Sequence, residues 1–340
     1  MCGIAGIYKN RPDPDLNTQV GAMTDRLSHR GPDDRGIYTD EAVALGQRRL
    51  SIIDLAGGHQ PITAEGLALV ANGEIYNHVE LRKELEEDGC RFCTHSDSEA
   101  VLHAYSRWGL EGLTRLNGMF AVALYDARHR RLLLARDRLG IKPLFLAHLE
   151  DGVAFASELK ALLPLLKNTP RVDPTGLLGY LQFQFSGGTR TPVEGIERIP
   201  PGEYVVLEEG RIVRRGRYWS ALEIAPRTID YEEAEREFDA LMDTVMREHM
   251  RTDVPFGLFL SGGVDSSVLL ALLSRYSDAP IRTFSVGFKD TRITDELPPA
   301  REMATRFSSR HTEIRPSQRD ILHSLPLTVW AADELMRDHA

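Results

Sequence analysis

Phe256-Gly257-Leu258-Phe259-Leu260-Ser261-Gly262-Gly263-Val264-Asp265-Ser266-Ser267 is the stretch on which the fold of the C-terminal part turns. Phe256 to Leu260 is an apolar run of strand length. It breaks into a Ser/Gly loop, and a helix is predicted from Ser267 to Ser277. A second strand, Ile281 to Val286, follows. Strand, helix, strand in that order predicts a βαβ unit and therefore a parallel-sheet α/β domain. Glycines let a backbone approach phosphate closely, and a helix N-terminus offers oriented N–H donors. Ser266 and Ser267 add hydroxyls. No Gly-Lys-Ser/Thr follows, so the loop is not a Walker A loop, and it lacks G-x-G-x-x-G.

Upstream of this loop, Tyr231, Ala234, Phe238, Leu241, Met242, Val245 and Met246 recur at helical spacing and are assigned to a core-facing stripe. A polar stretch around Glu223 to Asp230, containing Pro226, is the linker candidate. Before it the chain reads as an α+β unit. Gly118 to Asp126, Arg131 to Arg136 and Val153 to Ser157 are strands, the first apolar on both faces, which demands cover on both sides. Glu203 to Glu208 and Arg211 to Tyr218 form a hairpin around Gly210. Asn77-x-x-Glu80 and Ser96-x-x-Glu99 resemble capping boxes opening helices. The first of these helices runs from Val79 to Asp88 and closes at Gly89. The second carries Val101, Leu102, Tyr105 and Trp108 and stops at Gly109.

The chain has 340 residues, 42% of them hydrophobic and 27% charged, with a net charge of -9. That balance argues against a nucleic-acid coat or a polybasic membrane anchor. No stretch approaches the roughly 18 uninterrupted apolar residues of a membrane span. The three cysteines, Cys2, Cys90 and Cys93, fit a reducing compartment, and no secretory leader is visible, so the cytoplasm is expected. Cys90-Arg91-Phe92-Cys93 is expected to start a strand, not to form a redox or metal pair. Cys2 is different. Removal of Met1 would leave a thiol and a free α-amine on one residue, and that amine can accept the thiol proton near neutral pH.

Met1-Cys2-Gly3-Ile4-Ala5-Gly6 is followed in order by His29-Arg30-Gly31-Pro32-Asp33, Arg49-Leu50-Ser51-Ile52-Ile53-Asp54, Asn72-Gly73-Glu74-Ile75-Tyr76-Asn77 and Ser96-Asp97-Ser98-Glu99. This set resembles the N-terminal-nucleophile (Ntn) glutaminase domain of class II amidotransferases. Ser261 to Ser266 resembles the pyrophosphate loop of N-type ATP pyrophosphatases. Together they resemble the family of glutamine-hydrolysing asparagine synthetases, from Cys2 to about Asp333. Arg136 to Leu144, Ser157 to Leu162 and Pro200-Pro201-Gly202 belong to the same likeness.

The resemblance implies a four-layer αββα glutaminase over residues 1–220, a linker over 221–230, and an incomplete ATP-pyrophosphatase domain over 231–340. It implies that Cys2 attacks the glutamine side-chain carbonyl, and that the Asn72 amide and Gly73 N–H form the oxyanion hole. Arg49 would grip the α-carboxylate and Asp97 the α-ammonium, with Glu74, Ile52 and Ile53 completing the pocket. Leu260 and Val286 would contact the nucleoside. Ser261, Gly262, Gly263, Asp265 and Ser266 would surround the pyrophosphate of ATP with Mg²⁺, no metal site being suggested by the protein's own ligand spacing. The substrates implied are glutamine, aspartate and ATP, giving asparagine, AMP and pyrophosphate, with no nucleic acid and no membrane.

The family's second phosphate-contacting segment is not found downstream of Ala332-Asp333-Glu334-Leu335. The expectation is therefore a fragment of such a ligase with only its glutaminase half complete. The alternatives are a stand-alone or split glutaminase subunit, an amidotransferase for another carboxylate, and a truncated non-catalytic product. Homo-oligomerisation and a complementing C-terminal chain are both left open. Glucosamine-6-phosphate synthase and amidophosphoribosyltransferase share the Cys2-type domain but should lack Ser261 to Ser266. A β-lactam-synthetase-like relative keeps that loop but lacks Cys2.

Overall fold

The computed structural model describes residues 1–185, 187–277, 279–288 and 296–334. The chain divides into two compact units, Met1–Ala225 together with the residues from Ala331 on, and Pro226–Trp330.

The first unit is built from β1 (Gly3–Lys9), α1 (Leu16–Asp25), β2 (Asp34–Asp40), β3 (Val43–Arg49), β4 (Ile62–Ala64), β5 (Leu67–Ile75), α2 (His78–Glu87), α3 (Asp97–Trp108) and α4 (Gly112–Arg115). It continues through β6 (Gly118–Asp126), β7 (Arg131–Arg136), β8 (Phe145–Leu149), β9 (Gly152–Ala156), α5 (Leu159–Leu162), α6 (Pro174–Phe183), β10 (Ile196–Arg198), β11 (Glu203–Glu208) and β12 (Arg211–Arg217). Two antiparallel sheets form, ordered β10-β8-β9-β1-β3-β2 and β12-β11-β7-β6-β5-β4. Strand alternation decides the layering. Ala121, Ala123 and Tyr125 of β6 join Ile4, Val43, Val70 and Phe155 in a core between the sheets. Phe120, Val122 and Leu124 point the other way and pack with Leu81, Val101 and Leu102 of α2 and α3. The outer face of the first sheet is covered by Leu16, Val20 and Met23 of α1 and by Leu159 and Leu162 of α5. Helix, sheet, sheet, helix is the four-layer αββα arrangement expected of an Ntn amidotransferase.

The second unit comprises α7 (Tyr231–His249), β13 (Gly257–Phe259), α8 (Val264–Tyr276), β14 (Arg282–Val286), α9 (Leu297–Arg306), β15 (Arg310–Ile314) and, as far as Trp330, α10 (Gln318–Ala332). Among the described residues its three strands are parallel, in the order β13-β14-β15. Among the described residues no helix is long and apolar enough to cross a membrane.

Several local expectations are corrected. Cys90 to Cys93 is not a strand but an irregular connection. The Glu99 carboxylate organises it, accepting from the Cys93 and Thr94 N–H groups, each at 2.7 Å. Neither capping box closes. Asn77 turns away from its helix to donate to the Arg115 carbonyl and accept from Asn117 N–H. Ser96 does cap α3, through Ser98 N–H, but Glu99 is engaged by the loop before it. Helix α8 starts at Val264, three residues earlier than expected, because Gly263 serves as its N-cap. The stripe on α7 is not core along its length. Met246 is buried, whereas Tyr231, Phe238 and Leu241 are exposed. Periodicity shows that a helix has an apolar face, not what covers it.

Candidate functional site

Cys2 lies just before β1, and β3 runs antiparallel beside it with Gly3 opposite Arg48. This brings the segment after β3 onto the thiol: Leu50 N–H donates to Sγ at 3.4 Å. Burial pushes the Cys2 thiol pKa up, against the pull of the Leu50 N–H, the chain's terminal amine and Arg49. Burial also pushes the terminal amine, here on Met1, below its ordinary value, and the Arg30 and Lys142 charges act in the same direction. Both shifts favour the uncharged form of the group concerned.

β5 supplies the opposite wall. Asn72 is fully buried, yet neither its Oδ1 nor its Nδ2 has a hydrogen-bond partner. A buried amide without a protein partner is costly unless water or a ligand completes its bonding. The neighbouring N–H groups explain the backbone's part. Ala71 N–H donates to Gln60 Oε1 at 2.7 Å, and Ile75 N–H donates to Asp97 Oδ2 at 2.8 Å. Alternation along the strand turns the Gly73 N–H to the same edge, between them. Glycine is obligatory there, since a Cβ would sit 2.0 Å from the Met119 carbonyl oxygen.

Arg49 ends β3 and is 4% exposed. Its Nη2 donates to the carbonyls of Ile53 at 2.9 Å and Asp54 at 2.7 Å. Its Nη1 also reaches the Leu55 carbonyl at 3.5 Å, so the guanidinium fixes the turn that follows β3. Asp97 opens α3, where the helix N-terminus favours a carboxylate, but burial dominates and pushes its pKa up. An ammonium brought to it would offset that desolvation. These residues enclose a cavity of about 160 Å³. Cys2, Arg49, Ile52, Ile53, Asn72, Gly73, Glu74 and Asp97 all line it.

Met1, Gln60, Ser98, Met119 and Lys142 also line the cavity, and sequence reasoning assigned them no role. Arg30 was likewise missed: its Nε donates to the Cys2 carbonyl at 2.8 Å. The Arg136–Leu144 likeness carried the signal for Lys142. Asp137 accepts the N–H groups of Leu139, Ile141 and Lys142, while Arg136 donates to the carbonyls of Gly140, Lys142 and Ile199. That loop delivers Lys142 to the cavity 5% exposed, and burial lowers its pKa.

In the second unit the Ser/Gly loop follows β13. Gly263 N–H donates to Ser261 Oγ at 3.2 Å, and the Ser261 and Ser266 hydroxyls are 3.0 Å apart. Gly262 has φ +76°, and a Cβ there would lie 2.6 Å from Ala300 N. Phe259 pairs with Phe284, so the same register carried on places Val286 beside Ser261. Both lie at the carboxyl ends of parallel strands, where open α/β sheets bind ligands. Ser261, Gly263 and Asp265 are exposed and Val286 is 44% exposed. Leu260 differs: its side chain is packed in the core with Leu270, Leu273 and Ile281, supporting the loop from below.

Residues 1–219 match the family model described as glutamine amidotransferase domain. The chain belongs to that family. Residues 237–340 match a second family model, asparagine synthase. Asparagine synthetase [glutamine-hydrolyzing] 1 of Bacillus subtilis (strain 168) is 36% identical over 346 residues, covering 100% of this chain and 54% of that protein. Asparagine synthetase B [glutamine-hydrolyzing] of Escherichia coli (strain K12) is 33% identical, covering 92% of this chain and 54% of that protein. A putative asparagine synthetase of Methanocaldococcus jannaschii is 28% identical, covering 100% of this chain and 70% of that protein. The chain spans about half the length of the first two relatives. The amidotransferase match includes every residue that lines the cavity at Cys2, and the asparagine synthase match includes the loop at Ser261.

Proposed function

We propose that this chain carries the glutamine-hydrolysing half, and the ATP-loop portion of the ligase half, of a glutamine-hydrolysing asparagine synthetase. The observation that carries the reading is the buried, partnerless Asn72 amide facing the same cavity as Cys2. With Met1 removed, the Cys2 α-amine takes the thiol proton as Sγ attacks the glutamine δ-carbonyl. The oxyanion is met by Asn72 Nδ2 and Gly73 N–H, and each such donor is worth about 2.7–4 kcal/mol in the transition state. Collapse breaks the C–N bond, the proton passes to the leaving nitrogen, and ammonia departs. Water then hydrolyses the thioester to glutamate. Arg49 and Asp97 hold the α-carboxylate and α-ammonium.

In the second unit, Ser261, Gly262, Gly263, Asp265 and Ser266 would hold the ATP pyrophosphate. Aspartate attacks the α-phosphorus, pyrophosphate leaves, and ammonia displaces AMP from the aspartyl adenylate to give asparagine. Mg²⁺ would neutralise phosphate charge, and Asp265 with the serine hydroxyls is the oxygen donor set such an ion accepts alongside phosphates. We place the amidotransferase domain at 1–220, the linker at 221–230 and the ligase portion at 231–340, in a cytoplasmic enzyme.

The test is a paired assay on this chain, glutamate release from glutamine and aspartate-dependent AMP release from ATP. Cys2→Ala should abolish glutamate release; retained turnover sinks the nucleophile assignment. AMP release that does not depend on aspartate argues for a different acceptor.

A further inference from the structure

A buried carboxylate behind the nucleophile has no place in the chemistry above. Glu158 is 2% exposed. It occupies the N-cap position of α5, yet its side chain makes no capping hydrogen bond. It turns instead toward the start of the chain. Its Oε1 accepts from Arg30 Nη1 at 2.7 Å and from His29 Nε2 at 3.1 Å, and Oε2 lies 2.8 Å from Lys160 Nζ. Lys160 in turn faces Asp333 at 3.6 Å.

Arg30 is the shared member. One edge of its guanidinium is held by Glu158, and its Nε donates to the Cys2 carbonyl. Ser157, next to Glu158, holds the other side of the same turn. Its Oγ accepts the Ile4 N–H and its N–H donates to the Ile4 carbonyl, both at 2.9 Å. The Ser157–Glu158 segment therefore grips the chain on both flanks of Gly3, directly at Ile4 and through Arg30 at Cys2.

We propose that Glu158 is a positioning residue for glutamine hydrolysis: it locks the Arg30 guanidinium onto the Cys2 carbonyl and so sets the approach of Sγ and of the α-amine. The proposal rests on the glutaminase reading for its kinetic arm only. A chain terminus has no preceding peptide to orient it, so an external clamp on the first carbonyl is what pre-organises an N-terminal nucleophile. Misplacing a reacting group by 1 Å costs about 10²-fold in rate. The substitution Glu158→Gln would keep one acceptor for Arg30 but lose the charge-assisted bond, so a loss of about tenfold is expected.

The experiment is a double-mutant cycle on the full chain, comparing the unaltered protein with E158Q, R30M and E158Q/R30M. Two readouts are taken, the rate of Cys2 alkylation by iodoacetamide followed by mass spectrometry, and kcat and KM for glutamate release. E158Q should slow alkylation and lower kcat about tenfold, with KM within about twofold, because Arg49 and Asp97 are untouched. In the R30M background E158Q should have no further effect, since the residue it acts through is gone. Effects that multiply across the two backgrounds, or a rise in KM alone, overturn the proposal. If E158Q does not fold, E158D is taken through the same cycle with the same criteria. An unaltered chain that alkylates at Cys2 yet releases no glutamate refutes the glutaminase reading, while the alkylation cycle still decides the role of Glu158.

Discussion

Replacing Asn72 by leucine should make the protein more stable and nearly inactive. The residue is fully buried, and both polar atoms of its amide are without partners. An unsatisfied buried polar group costs roughly 1–3 kcal/mol, and an apolar group of similar shape removes that penalty. The cavity beside it is about 160 Å³, large enough for water to offset part of the cost. The lower end, about 1 kcal/mol of stabilisation, is therefore expected, which corresponds to about 2–4 °C in the unfolding midpoint of a unit this size. Loss of one oxyanion donor should lower kcat for glutamate release about 10²–10³-fold. The assay pairs thermal unfolding of the first unit with steady-state glutamate release on the same preparations. A fall in midpoint of the size seen for core truncations would show that the amide is bonded in solution. A kcat within about twofold of the unaltered protein would show that it does not stabilise the oxyanion. Either result refutes the reasoning, because both expectations come from the same partnerless amide.

Two other substitutions test the substrate clamp and the phosphate loop. Asp97 has its folded-state pKa raised above the ordinary 3.8 by burial, so the folded chain binds that proton more tightly than the unfolded chain. Its contribution to stability is therefore best in acid and is lost as pH rises through the folded pKa. Asp97→Asn should unfold at a higher temperature than the unaltered protein at about pH 8, and the gap should close below about pH 4. The same variant should raise KM for glutamine about 10- to 100-fold through loss of a charged partner, and an unchanged KM would remove Asp97 from the clamp. Gly262→Ala forces a side chain into positive φ, a cost of roughly 1–2 kcal/mol before the clash with the Ala300 backbone is added. Thermal unfolding of the second unit should fall accordingly. An undisturbed unfolding transition would show that the loop has another geometry.

The elements with strong local signals were legible in the chain. β6 begins at Gly118 and ends at Asp126 as its two apolar faces required, and the hairpin around Gly210 forms from β11 and β12. Gly89, with φ +91°, closes α2 as its position in the sequence required. What failed were side-chain assignments that depend on competition. Asn77, Glu99 and the stripe on α7 each had a plausible local partner, and tertiary neighbours or solvent took its place. A helix cap is worth only about 1 kcal/mol, so a nearby loop carbonyl or N–H can displace it.

By itself the sequence determined the kinds of chemistry present: a thiol at the second residue, an Asn-Gly pair, an arginine, an aspartate, and a Ser/Gly loop between strand and helix. Residue type and short-range order suffice for that, since they set nucleophilicity, charge and backbone freedom. Only the tertiary structure decided that Cys2, Arg49, Asn72 and Asp97 meet in one cavity, that the Gly73 N–H faces it, and that Arg30 links Glu158 to the Cys2 carbonyl. The physical reason is sequence separation. Ile4 and Ser157, whose bonds fix the start of the chain, are 153 residues apart. Antiparallel register across two sheets brings such groups within hydrogen-bond reach, which no local pattern encodes.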